Sequence, residues 1–176
     1  FANGNADFGS YSEVGRAEAI KKGTAYMSVW MYVIREMEDA IDDCKSDCNA
    51  DNCNDEPVHA WDEAVAFYAG SLEGTDGSGD GVMPHQLADK RCANFKTCGD
   101  LANDVTGLSH VNIQIMAEFT DGKRKLRSGQ CEAVKENKNR IEELMAVPLI
   151  QGTLRYAYIT DFENDAGEKA EAEGAV

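Results

Sequence analysis

The chain has 176 residues, 43% of them apolar, which suits one packed domain and argues against wholesale disorder. Its 17 basic and 32 acidic residues leave a formal net charge of -15, which excludes nucleic acid as a partner and repels anionic membrane surfaces. No stretch approaches the ~20 apolar residues of a membrane-spanning helix, so no direct membrane insertion is expected. The acidity favours cationic partners, metal ions among them, and serves solubility equally well.

Residues 1–12 are rich in Gly, Asn and Ser and read as an irregular lead-in. The chain begins at Phe1 without a signal-peptide pattern, which fits a processed protein or an excised domain alike. From Glu13 to Asp43, Met27, Trp30, Met31, Ile34, Met37 and Ile41 recur at steps of three and four, the signature of a long amphipathic helix. A polar loop follows over residues 44–55.

Pro57 opens a second helix at a first-turn position, where its missing N–H costs nothing. Val58, Trp61, Val65, Ala69 and Leu72 form its inner stripe, and Gly74 is a natural stop. Residues 74–81 form a Gly/Asp loop. Within it, Asp76, Ser78, Asp80 and Gly81 resemble the start of a calcium loop, but Leu87 stands at the twelfth position in place of a bidentate Glu.

Met83 to Phe95 reads as a shorter helix, followed by a turn at Cys98-Gly99. Val105 to Phe119 reads as another helix, broken by Asp121-Gly122. The last helix spans Cys131 to Tyr158, and Pro148 should kink it because it removes one backbone hydrogen bond. The fold class is therefore all-α, a disulfide-stapled bundle of about five helices. It occupies residues 13–160 as a single domain, with an acidic tail or linker over 161–176.

Six cysteines, Cys44, Cys48, Cys53, Cys92, Cys98 and Cys131, sit in polar, loop-like surroundings. An even count in that setting reads as three disulfides made in an oxidising compartment, with connectivity left open. The spacings lack the paired C-x-x-C of a zinc knuckle.

The richest constellation for metal chemistry lies on the second helix. His59 neighbours Asp62 and Glu63 at three- and four-residue offsets, and Glu73 lies three turns beyond Asp62 on the same flank. Carboxylates beside an apolar stripe lose hydration unless paired or metal-bound, and His with carboxylates suits iron. The set resembles the Glu-x-x-His pairs of di-iron bundles in kind but not in order or number. A salt-bridged charge cluster at a helix start explains the same residues. Glu38 and Asp42 of the first helix form a second acidic set, and Tyr68 would be a good ferric ligand as a phenolate. Arg155 shares a face with Leu144 and Pro148 and needs an acidic or anionic partner if buried, such as Glu38 or Asp62. His85 with Asp89, and His110 with Gln114, are four-residue pairs that read as satisfied partners before ligands. No phosphate-cradling loop, nucleophile elbow or H-E-x-x-H is present, so no enzymatic activity is expected.

Three blocks resemble the algal Fe-assimilating (FEA) proteins. They are Trp61 through Gly74, Leu87 to Cys92 with Phe95 and Cys98, and Val147 through Tyr158, in order along the chain. The resemblance implies a secreted, periplasmic or surface protein tied to iron uptake, working with a membrane transporter or reductase, and in some relatives arranged as tandem copies. Asp62, Glu63, Tyr68 and Glu73 fall in the first block, and Gln151 and Arg155 in the third. Together these lines predict an iron site, for Fe2+ or Fe3+, with Glu38, Asp42, His59, Asp62, Glu63, Tyr68 and Glu73 as candidate ligands. Arg155 and Gln151 would hold a small synergistic anion. The alternative is a wall or surface structural module that binds no metal.

Overall fold

A computed structural model describes residues 8–46, 56–70, 84–163 and 167–175. Cys48, Cys53, Glu73 and the Gly/Asp loop of 74–81 lie outside these residues. The described residues are mostly helical, with a loop segment over 96–109 and no named strand.

The first long stretch of helix is in three parts. Helix α1 (Glu13–Gly23) is capped by Ser12, whose Oγ accepts from Gly15 N at 3.3 Å. A π-helical segment, Thr24–Val29, leads directly into α2 (Trp30–Lys45). The buried face of α2 is Val33, Met37, Ala40 and Ile41, a spacing of four, three and one. Met27 and Met31, expected on that stripe, fall off it and are exposed, because the face is centred on Met37 and Ala40.

Helix α3 (Pro57–Ala69) starts at Pro57 and stops at Gly70, whose φ of 64° is open to glycine at little cost. Helix α4 (Pro84–Phe95) runs into a knot of short loops. There Cys92 and Cys98 are disulfide-bonded, and Cys98 exchanges backbone hydrogen bonds of 3.0 Å with Asp104 in both directions. That knot is why the next helix, α5 (His110–Arg127), begins later than Val105. Gly107 adopts a φ of 94°, incompatible with a helix, and Val105 and Leu108 are exposed. Ser109 is the true cap, accepting from Val111 N at 3.2 Å.

Asp121-Gly122 does not break α5, which continues to Arg127. Gly122 is buried instead, and its missing side chain is the space in which the Trp61 ring lies. A turn at Gly129, φ 69°, sends the chain back as α6 (Cys131–Tyr158), which runs through the buried Pro148. A second π-helical segment, Ile159–Glu163, and a final helix, α7 (Glu168–Ala175), follow. Where the sequence suggests an acidic tail, α7 packs on α1 and α6 and buries Ala172 completely.

One core joins the central helices. Val33 and Met37 of α2, Trp61 and Tyr68 of α3, Ile115 of α5, and Val134, Ile141 and Met145 of α6 are almost wholly buried. The Trp61 indole N–H donates to Phe119 O at 2.9 Å, which locks its orientation. A second disulfide, Cys44–Cys131, ties the end of α2 to the start of α6 across 87 residues of sequence.

Candidate functional site

The acidic residues singled out on α2 and α3 are on the surface or its edge, and lysines of other helices reach several of them. Both oxygens of Asp62 accept from Lys123 Nζ of α5, at 2.6 and 2.8 Å. Glu38 pairs with Lys138 of α6 at 3.1 Å, and that ammonium also holds Glu142 at 2.7 Å. Burial opposes the Lys138 charge, but Glu142 and Glu38 outweigh it and raise its pKa. Asp42 lies 3.6 Å from Lys45 on its own helix. His59 and Glu63 are exposed. Among the described residues, no three of His, Cys, Asp or Glu gather closely enough to hold a metal ion.

Arg155 does not meet Glu38 or Asp62, whose partners are the lysines above. Its Nη1 lies 3.3 Å from Asn94 Oδ1, with the Asn94 amide turned so that its nitrogen donates to Lys90 O. Its Nε is buried without a hydrogen bond. Gln151, one turn earlier, donates to Thr97 Oγ1 at 3.4 Å. These two residues therefore bind α6 to the end of α4 and the loop after it.

Tyr68 is fully buried at the centre of a polar network that joins α3, α4 and α5. Its hydroxyl donates to Asn112 Oδ1, and Asn112 Nδ2 donates to His85 O and to Asp89 Oδ1, both at 2.8 Å. Asp89 Oδ1 also accepts from Ser109 N at 2.7 Å, and its Oδ2 lies 3.4 Å from His85 Nδ1. Burial, with the Asp89 charge behind it, pushes the Tyr68 phenol far above its ordinary range, so it stays protonated and serves as a donor. His85 is pushed down by burial, with Asp89 pulling the other way. Tyr68, Asn112, Asp89, His85 and Ser109 are thus linked into one network, which acts as a joint between α3, α4 and α5.

The i,i+4 pair His85–Asp89 was visible in the sequence as a satisfied partner, and the structure adds the residues that complete it. His110 and Gln114 are also paired, at 3.0 Å, and His110 Nδ1 meets Gly99 O at 3.2 Å. Asn112 and Asn137 escaped the sequence reading. Each stands on an apolar helix face, Asn137 between Val134 and Ile141, and a lone amide on such a stripe is the signal that would have found them. Asn137 donates to Glu118 at 2.6 Å and accepts from Lys125 at 2.8 Å.

These features define an all-α, disulfide-linked domain with a buried polar network between its helices. The chain belongs to the Fea1 family, low iron-inducible periplasmic proteins, whose pattern matches residues 3–174. No curated protein and no solved structure matches it. A periplasmic location suits both described disulfides, which persist in oxidising compartments. No described helix is long and apolar enough to cross a membrane.

Proposed function

We propose that this protein binds iron outside the cytoplasm and holds it for uptake by a membrane transporter or reductase, without catalysing a reaction. The observation that carries the reading is the match over residues 3–174 to low iron-inducible periplasmic proteins. The surplus of acidic side chains supports it, because hard iron cations take carboxylate oxygens. Iron is the cargo here. Asp62 is the carboxylate best placed to receive it, half exposed at the edge of the core, with His59 about one turn before it and Glu63 next in sequence. The Lys123 ammonium already spans both Asp62 oxygens, so iron must displace it, and water or a small anion would fill the remaining positions.

The test is titration with Fe(II) and Fe(III) of the oxidised protein and two variants. Removing the competing ammonium with Lys123→Met should tighten binding about tenfold, or about 1.4 kcal/mol. Asp62→Asn should weaken it by at least as much. Iron uptake no greater than that of an acidic control protein would sink the proposal.

A second reading, a surface structural module without metal binding, is favoured by one observation. No metal-ligating cluster forms among the described residues, and Asp62 and Glu38 are engaged by lysines. It predicts that neither variant changes iron uptake.

A further inference from the structure

In a chain with 17 basic residues and a net charge of -15, five cationic side chains line one pocket with a single carboxylate. They are Lys21 and Lys22 of α1, Lys90 and Arg91 of α4, and Lys169 of α7, with Glu18 as the acid. Glu18 is matched to Lys22, at 3.4 Å. Arg91 is only 8% exposed, and its Nε and Nη1 have no hydrogen-bond partner. The Tyr156 ring face lies 5.7 Å from its guanidinium carbon. A buried guanidinium ordinarily has a carboxylate or another anion against it. Here the protein supplies none among the described residues.

This cationic lobe, of 230 Å³, adjoins an apolar lobe of 240 Å³, and the two share Lys22, Tyr26, Leu87 and Tyr156 as lining residues. The apolar lobe is walled by Met27, Trp30, Met31, Pro148 and Leu149, with Gly152 on its wall. Met27 and Met31 are about half exposed there, and the buried Trp30 Nε1 has no hydrogen-bond partner. Nothing lies within 4 Å of where a Gly152 Cβ would stand, so the groove is open at that point.

We propose that this two-lobed pocket binds a small amphipathic organic anion, its carboxylate against Arg91 and the rim lysines and its apolar body beside Trp30 and Pro148. Charge complementarity selects the head and the apolar lobe selects the body. An inorganic anion would leave the groove empty, and a neutral hydrophobe would leave Arg91 without a counter-charge. An anionic bilayer would meet the repulsion of the molecule's net charge. The site is independent of iron and of the acidic flank of α3.

Decanoate, used below its micelle concentration, is the probe, with decanamide, acetate and anionic lipid vesicles as comparisons. Calorimetry and tryptophan fluorescence of the full chain read the binding. The expected result is saturable binding of about one decanoate per chain, with decanamide and acetate at least about tenfold weaker. Arg91→Gln should weaken decanoate at least about tenfold and leave decanamide little changed. Gly152→Leu, which fills the groove, should weaken both. Should Arg91→Gln fail to fold, the exposed pair Lys90→Gln with Lys169→Gln decides, and should weaken decanoate about threefold or more. Equal binding of acetate, equal binding of decanamide, binding of vesicles alone, or unchanged affinity in a folded Arg91→Gln protein would each overturn the proposal.

Discussion

Gly122→Ala is the substitution whose cost the structure states most directly. A Cβ built on Gly122 collides with Cζ2 of Trp61 and stands 2.8 Å from Cε2 and 3.0 Å from Cη2. The ring cannot simply swing aside, because it is fully buried and its N–H is bonded to Phe119 O on the preceding turn of the same helix. Overpacking of this kind costs about 1–3 kcal/mol, and losing the indole hydrogen bond adds about 1 kcal/mol. Replacing glycine within a helix returns up to about 1 kcal/mol. A net loss of about 1–3 kcal/mol is expected, a fall of about 1 M in the urea midpoint followed by far-UV circular dichroism. In a Trp61→Phe background the smaller ring frees the space, so Gly122→Ala should there cost little or stabilise slightly. A Gly122→Ala protein within about 0.5 kcal/mol of the parent would refute the close approach of ring and backbone.

The two described disulfides should differ in worth, because they close loops of 87 and 6 residues. In the chain-entropy account, Cys44→Ser with Cys131→Ser should cost about 4–5 kcal/mol and Cys92→Ser with Cys98→Ser about 2 kcal/mol, both read by urea denaturation; the reverse order would discard that account. His85 supplies a pH test. Its folded pKa lies below the ordinary value of 6.5, so the unfolded chain binds the proton more readily, and the stability held above that value is lost as pH falls below it. The gap in urea midpoint between the parent and His85→Gln should therefore shrink from about pH 7 to about pH 5, and a constant gap would show that the imidazole is not held neutral by burial.

Apolar periodicity made α3 and α6 legible, because each carries a stripe aimed at the core, and Pro57 marks the start of the first. It misplaced the start of α5 because Val105 and Leu108 fit a helical step by spacing alone, while Gly107 and the hydrogen bonds of Cys98 hold that stretch in a loop. Gly122 misled for the opposite reason. A glycine lowers helix propensity locally, but the packing of Trp61 against it outweighs that cost. Helix α7 has almost no apolar signal of its own, since Ala172 is its buried contact, and it depends on α1 and α6 as a platform. The sequence reading asked for a metal or a paired cation beside Asp62 and Glu38. Which cations they meet, Lys123 and Lys138, depends on helices distant in sequence, and no local spacing encodes that. The cationic pocket was hidden for the same reason, its five charges being spread over α1, α4 and α7.

The clasp of α7 on α1 has an architectural consequence. The Tyr11 hydroxyl reaches Glu171 Oε2 at 3.2 Å, across 160 positions of sequence, so the polypeptide enters and leaves the domain at neighbouring points. A unit closed in this way, were it inserted into or repeated along another chain, need not part the flanking segments by the breadth of the bundle. The amphipathic pocket, walled in part by those same two helices, lies at this closure.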